Sequence, residues 1–349
     1  MKTIVLTGGG TAGHVYPTLA LKERLEGRYN FHYIGGKGME KDIVGKHKDI
    51  CYHQIDAVKL ERKFTLKNLL IPFKLIKAIR EAKKTLKEIN PSVIFSKGGF
   101  VAVPVVIAGR SLKIPIISHE SDLSMGLANK IILRYCDYMC TTFEKTSQNC
   151  EKCVYSGQPI RKAVLNGNKK NLPFSKELDK NKPNLLVVGG STGAKFINQK
   201  VTKNIDKLIK NFNVIHITGK QGALNIKKKN YIQVDYCENM GDYLDLADIV
   251  LSRAGAGAIN EFLALEKPMF LIPLSKRCSR GDQIENAKLF ASLGYADVLM
   301  EEDYDDEMFL IKLNNLYKNK EKYLKNIKKV SIKDACEVII NLINKVEKK

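Results

Sequence analysis

Gly8, Gly10 and Gly13 in the stretch VLTGGGTAGHVYP stand at the G-x-G-x-x-G spacing that lets a backbone turn approach a phosphate. Glycine removes the Cβ that would block the approach, and the helix that follows adds its N-terminal dipole. A nicotinamide or flavin site needs a second part. An acidic residue must sit about 20 positions further on, at the end of the second strand, to take the ribose hydroxyls. Here that strand, FHYIGG, ends in Gly35, Gly36 and Lys37. The turn therefore points to an anionic oxygen and away from a dinucleotide, with Pro17 expected in the first turn of the helix.

Three further stretches share this chemistry. SKGGFVAVP carries Gly98 and Gly99, GGSTGA adds the Ser191 hydroxyl, and SRAGAGAINEF sets Gly255 among small residues with Glu261 about a turn into a helix. Small residues admit a diphosphate, and a carboxylate at that distance suits vicinal ribose hydroxyls. Any one of these is also what an ordinary βα turn looks like. Four together, shared between two halves of the chain, favour a diphosphate site. His14, at a helix N-terminus, reads equally as a general base or as a hydrogen-bond donor to a diphosphate. His119 and Glu120 end a strand and read as catalytic or as a structural pair. Arg253 reads as a partner for a leaving diphosphate or as a satisfied structural residue.

These residues need a scaffold, and the pattern supplies one. Short β-rich runs at residues 4–7, 31–34, 92–95, 114–118 and 138–142 alternate with helical patterns. The plan restarts at NLLVVGGSTGAKFINQKV and continues through 213–218, 231–234, 249–252 and 269–272. This is the βαβ rhythm of α/β folds, here two doubly wound parallel-sheet domains facing an interdomain cleft. The expected boundaries are 1–158 and 159–330, with 154–182 as the connection and a helix over about 331–349 that packs back on the first domain.

Composition narrows the partners. The 349 residues are 44% hydrophobic and 27% charged, as in a soluble globular chain, but the net charge is +21. A basic excess of this size favours an anionic partner. Nucleic acid is not the expected one, because the 14 Tyr and 13 Phe form no platform interleaved with basic residues. The N-terminal apolar run is too short for a signal peptide, no run is long enough to span a membrane, and the eight cysteines are expected reduced. Cys136, Cys140, Cys150 and Cys153 lack the paired spacing of a strong zinc site. The acidic run EEDYDDE reads as solvated surface, so no metal is assigned. Residues 66–87, LKNLLIPFKLIKAIREAKKTLK, mix Ile71, Phe73 and Leu75 with Lys74, Lys77 and Arg80. That mixture fits either a core-packed helix or an interfacial one drawn to an anionic membrane, broken or begun at Pro72.

Read in order, GGGTAGHVYPTLAL, GGFVAVP, HESDLSMGLANK, GQPIRKAV, GGSTGA, SRAGAGAINEFLALEKPMFLIPL and DQIENA resemble the MurG family of peptidoglycan glycosyltransferases over nearly the whole chain. The resemblance implies a GT-B fold and transfer of N-acetylglucosamine from UDP-N-acetylglucosamine to lipid I, with inversion and no obligatory metal or other cofactor. It implies a peripheral enzyme at the cytoplasmic face of the cell membrane, serving cell-wall synthesis and so cell shape and division. It implies an acceptor-binding first domain and a donor-binding second one. By the same resemblance, Ser191 and the turn from Ser252 to Gly255, with Arg253, face the UDP diphosphate. Glu261 takes the ribose, Arg161 contacts the donor, and Gln283 beside Asp282 holds sugar hydroxyls. The backbone near Cys237 caps the uracil, and Thr11, Ala12, Gly13 and His14 line the reacting centre. Asp122 and Thr192 depart from the family's usual Asn and Gln. Alternatives are another GT-B glycolipid-forming transferase or a UDP-N-acetylglucosamine 2-epimerase.

Overall fold

The computed structural model describes residues 1–57, 71–190, 193–219, 222 and 226–348. The chain divides into two compact units, Met1–Arg161 with Lys333–Lys349, and Lys162–Ile332. The division falls a few residues beyond 158 and 330 and leaves Arg161 in the first unit.

The first unit runs β1 (Lys2–Thr7), α1 (Ala12–Leu25), β2 (Tyr29–Gly35), α2 (Met39–Val44), β3 (Ile50–Gln54), α3 (Ile71–Ile89), β4 (Val93–Ser96), α4 (Ala102–Ser111), β5 (Ile116–Glu120), α5 (Leu127–Ile132), β6 (Tyr138–Thr141), α6 (Glu144–Ser147) and β7 (Cys153–Tyr155). The second runs α7 (Lys162–Leu165), β8 (Asn184–Val188), α8 (Lys195–Lys203), α9 (Ile205–Asn211), β9 (Asn213–Ile217), β10 (Tyr231–Val234), α10 (Met240–Leu246), β11 (Ile249–Ser252), α11 (Ala256–Ala264), β12 (Met269–Leu271), α12 (Asp282–Ser292), β13 (Ala296–Val298), α13 (Asp306–Lys318) and α14 (Lys320–Ile327). The last helix, α15 (Ala335–Val346), returns to the first unit.

Among the described residues the first sheet is ordered β3-β2-β1-β4-β5-β6-β7 and the second β10-β9-β8-β11-β12-β13. All the pairings between these strands are parallel. Each order reverses once, between β1 and β4 and between β8 and β11, and at such a reversal the carboxyl ends of neighbouring strands open a ligand crevice. The two-residue period of β1 serves both faces. Ile4 and Leu6 join Val15, Leu19 and Leu25 of α1, while Val5 joins Ala82 and Leu86 of α3 and Val105 of α4.

Several elements differ from the sequence reading. Strands β3, β7 and β13 were not expected, and residues 154–182 are no plain linker, since β7 runs into them and α7 forms within them. Helix α1 starts at Ala12 with Thr11 at the cap position, so Pro17 lies inside it and His14 lies in its first turn. Pro17 has no N–H for the Gly13 carbonyl. The turn is instead tied by Thr18 Oγ1, which donates to the His14 carbonyl at 2.9 Å. Pro72 sits in the first turn of α3, where proline is tolerated, and Leu66–Leu70 of that expected segment fall outside the described residues. The expectation of eight reduced cysteines fails at Cys150 and Cys153, which are joined in a disulfide. Cys136 and Cys140 are buried thiols whose pKa burial pushes up to about 12. The acidic run lies at the surface as expected, with Glu302, Asp303, Asp305 and Glu307 exposed, and it also closes a helix. Asp305 caps α13 by accepting from the Glu307 and Met308 N–H groups at 2.9 Å, and Asp306 pairs with Lys203.

Helix α15 is held by its apolar face and its ends. Cys336, Ile339, Ile343 and Val346 pack among Ile4, Leu6 and Tyr29. Asp334 caps the helix through the Glu337 N–H and pairs with Arg24 at 2.8 Å. Glu347, its side chain 4% exposed, pairs with Lys2 at 2.6 Å and accepts from Ser92 Oγ at 2.7 Å and Tyr29 OH at 2.9 Å. Burial works against its charge, but these donors prevail and hold its pKa below the usual carboxylate value. Lys97 is a buried cation of the opposite tendency. Its Nζ donates to Ser121 Oγ, and burial lowers its pKa to about 8 against the pull of Glu120 and Asp122.

Two stability changes follow. Glu347→Ala removes the acceptor of two part-buried hydroxyls and a lysine, and is expected to cost about 2–3 kcal/mol in a thermal or denaturant melt at pH 7. Because the folded pKa is depressed, that stabilisation is present above the unfolded value and is lost as pH falls through the folded one. A gap between variant and parent that persists unchanged at pH 3 would contradict this. Lys97→Met is expected to raise stability by about 1–4 kcal/mol at pH 7. The unfolded chain binds more protons than the folded one between pH 8 and 10.5, so the parent gains stability over that window and the gap should close there.

Candidate active site

In the first unit the turn after β1 and the turn after β4 lie on either side of the strand-order reversal. Lys97 N–H donates to the Thr7 carbonyl at 2.8 Å, and a Cβ on Gly99 would stand 2.6 Å from the Gly9 carbonyl oxygen. Gly98 and Gly99 have φ of +83° and +81°, a left-handed backbone that glycine adopts without strain. The structure thus brings Gly98 and Gly99 to Gly8, Gly9 and the ring of His14, and the contacts place neither glycine against Thr11, Ala12 or Gly13. Thr11 and Gly13 are exposed, and His14 is half-buried.

The glycine turn is held at three points. Tyr33 OH donates to the Gly8 carbonyl at 2.6 Å, and the Gly10 N–H donates to Glu40 Oε2 at 3.2 Å. His14 Nδ1 lies 2.8 Å from the Gly9 carbonyl oxygen and 3.3 Å from Thr11 Oγ1. A carbonyl only accepts, so in the neutral ring the proton sits on Nδ1 and Nε2 is the basic nitrogen. Glu40 was not singled out in the sequence, yet it is 1% exposed and its other oxygen accepts from the Gly36 N–H at 3.0 Å. Glu40 lies in α2 rather than at the end of the second strand, so the position that would take ribose hydroxyls is still without a carboxylate. Its carboxylate accepts from an N–H of the glycine turn itself.

His119 and Glu120 resolve as structural. Glu120 is buried, and its carboxylate accepts from the Asp122 N–H, the Gly126 N–H and Asn129 Nδ2, each at 2.9 Å. It staples the loop that carries Asp122. His119 is fully buried, with Nε2 at 2.9 Å from the Gly157 carbonyl oxygen. Burial first, and then the Lys97 charge, push its pKa well below the usual imidazole value. Arg161 belongs to this unit, its guanidinium 4.0 Å from the centre of the Tyr16 ring.

In the second unit GGSTGA follows β8 and SRAG follows β11, the two strands at the reversal. Ser252 Oγ donates to the Val188 carbonyl at 2.8 Å and ties the two turns. Helices α8 and α11 begin here at Ala194 and Gly255 without a capping side chain, whereas Asn239 and Asp305 close α10 and α13. Uncapped helix N-termini suit anionic oxygens. The start of α12 joins them: Asn286 Nδ2 donates to the Ala254 carbonyl at 3.2 Å, and Gln283 Oε1 accepts from the Leu274 N–H at 3.0 Å. The first bond ties α12, which carries Asp282 and Gln283, to the turn before Gly255, and half-buried Glu261 lies in the second turn of α11. Cys237 lies in the loop after β10, and Ser191 falls outside the described residues.

Arg253 takes the structural alternative. Its Nη1 donates to the Ile272 and Pro273 carbonyls at 3.0 and 3.2 Å, and its Nη2 pairs with Glu301 at 2.5 Å. Glu301 belongs to the acidic run, which strand β13 carries back to this edge of the sheet.

On α3, Leu75 is half-buried and joins Ile79, Ala82 and Leu86 on the core side, so it does not belong to an outward face. Phe73 and Ile76 are 72% and 48% exposed, and Lys74, Lys77, Arg80, Lys84 and Lys87 are exposed on the same helix, with Ile71 half-buried at its start. Among the described residues no helix is long and apolar enough to cross a membrane, and no group of three or more His, Cys, Asp or Glu side chains could hold a metal ion.

Residues 4–141 match the glycosyltransferase family 28 N-terminal domain, and residues 184–342 match the family 28 C-terminal domain. Similar proteins include the UDP-N-acetylglucosamine–N-acetylmuramyl-(pentapeptide) pyrophosphoryl-undecaprenol N-acetylglucosamine transferase of Clostridium tetani, 48% identical over 99% of this chain and 98% of its own. That of Clostridium botulinum strain Langeland is 46% identical over the full length of both. The crystal structure of Acinetobacter baumannii MurG has the same fold, with a TM-score of 0.76 at 24% identity over 99% of this chain and all of its own. A UDP-GlcNAc 2-epimerase from Neisseria meningitidis shares that fold with a TM-score of 0.66 at 13% identity, over 99% of this chain and all of its own. With family models covering both units and relatives this similar along its whole length, the chain belongs to glycosyltransferase family 28, and within it to the N-acetylglucosamine transferases of peptidoglycan synthesis.

Proposed function

We infer that this chain moves N-acetylglucosamine from UDP-N-acetylglucosamine to the 4-hydroxyl of the muramyl sugar of an undecaprenyl-diphosphate-linked acceptor, with inversion at the anomeric carbon. The observation that carries the reading is the pair of glycine turns set at the strand-order reversal of each unit. It occurs in a chain 46–48% identical over its length to relatives named for that transfer.

The chemistry assigns the parts. The attacking hydroxyl must lose its proton as the new bond forms, and the departing UDP must be stabilised as charge grows on it. His14 Nε2 is the base, since its ring is half-buried while His119 and Glu120 are sealed. The open N-termini of α8 and α11 stabilise the diphosphate, joined by Ser191. Glu261 binds the ribose, and Asp282 with Gln283 orients the sugar. Arg253 acts through the shape of its turn rather than by touching phosphate. Asp122 and Arg161 remain assigned to substrate by family likeness alone, as does the uracil cap at Cys237. Phe73 and Ile76, ringed by Lys74, Lys77, Arg80 and Lys84, dock on an anionic membrane at the cytoplasmic face, where a polyprenyl acceptor resides.

The direct test is transfer of labelled N-acetylglucosamine to a soluble lipid I analogue, with and without chelator. Product in both arms is expected. UDP binding without product would sink the acceptor assignment and favour the epimerase, whose activity needs no lipid. His14→Ala should lower kcat by about 10²–10⁴-fold with donor affinity retained, and an undiminished kcat ends its role as base. Phe73→Glu is expected to weaken cosedimentation with phosphatidylglycerol vesicles about 10-fold while leaving transfer to the soluble analogue intact. Equal binding by variant and parent would count against α3 as the docking element.

A further inference from the structure

We propose that Glu40 is a positioning residue for His14, acting through the single peptide unit that joins Gly9 to Gly10. This rests on the reading of His14 as the base.

The two ends of that peptide are gripped by different side chains. On one side the Gly10 N–H donates to Glu40 Oε2 at 3.2 Å; on the other the Gly9 carbonyl oxygen lies 2.8 Å from His14 Nδ1. A carboxylate on the N–H end polarises the amide and makes its carbonyl a stronger acceptor for the imidazole proton. The orientation matters more than the strength. With glycine on both sides, and Gly10 at φ +88°, this peptide plane meets little steric resistance to turning over. Turned over, it would present an N–H to His14 Nδ1 instead of a carbonyl. The ring would then keep its proton on Nε2, the nitrogen that must accept one from the acceptor hydroxyl. Glu40 blocks that inversion, because the turned peptide would face its carboxylate with a carbonyl oxygen.

The carboxylate is itself built in. Cβ atoms added at Gly9, Gly36 and Gly38 would stand 2.8, 2.9 and 2.7 Å from Glu40 carboxylate oxygens. Its second oxygen is fixed by the Gly36 N–H at 3.0 Å. Gly9, in the turn that reads in the sequence as a phosphate cradle, thus joins Gly36 and Gly38 in enclosing a side chain of the chain itself. Glu40 reaches the reaction only through backbone, and a glutamate that merely stabilised the loop would have no influence on which imidazole nitrogen is protonated.

The test reads that nitrogen directly. In the full-length protein labelled with ¹⁵N-histidine, His14 should show the Nδ1–H tautomer when neutral. Glu40→Ala should shift it toward Nε2–H and lower kcat about 10²-fold, with the KM for UDP-N-acetylglucosamine unchanged. Glu40→Gln, which can satisfy only one of the two N–H groups, should fall between. An Nε2–H ring in the parent protein overturns the proposal and needs no variant, so a poorly folding Glu40→Ala cannot shelter it. A variant that folds and keeps both tautomer and kcat overturns it as well. If His14→Ala retains full kcat, the base reading fails by itself, while the tautomer measurement still decides whether Glu40 orients the ring.

Discussion

Backbone N–H groups left over where a parallel strand turns into a helix must find an acceptor, and much of this molecule is arranged by how that need is met. In the first unit the chain answers it internally: a buried carboxylate, flanked by glycines, occupies the turn after β1. In the second unit α8 and α11 start at Ala194 and Gly255 with no capping side chain, as α1 does at Thr11, and no carboxylate is recorded in the turns before them among the described residues. The same glycine spelling therefore serves two ends. One turn is gripped by a glutamate and an imidazole of its own unit, and in the proposed function the other holds a ligand's charge.

That difference also marks where sequence reasoning runs out. The alternation of apolar runs with helical periods was enough for two doubly wound units, because strands buried on both faces are written in Ile, Val and Leu. Three of the four edge strands escaped it, β10 being the exception. ICYHQ in β3 is half polar, and CVY and ADV are three residues long, too short for a period to show. The site was legible in its backbone and obscure in its charges. A glutamate four residues after Gly36 looks like any helix residue until Gly9, Gly36 and Gly38 are seen to enclose it. Arg253 and Glu301 are distant in sequence, and only the adjacency of β11, β12 and β13 makes them partners. Pro17 misled because proline usually opens helices, whereas here its missing N–H falls one turn inside.

Helix α3 shows how one stretch can satisfy two surfaces. Ala78, Ala82 and Leu86 recur at four-residue steps and are buried. Phe73 and Ile76 fall on the other side with the lysines, so aromatic and aliphatic bulk is exposed where burial was available one position away. Leu75 shows that choice being made: it turns inward.

The return of α15 to the first unit has a consequence for biosynthesis. Residues 162–332 form an uninterrupted unit, whereas the first unit closes only when residues 333–348 dock against β1 and β2. A ribosome delivers the chain from its N-terminus, so the unit that begins first is completed last. Until then its apolar surface around Ile4, Leu6 and Tyr29 waits uncovered. During that interval the nascent chain is open to chaperone capture, and a premature stop near the end of the message would damage the opposite end of the protein.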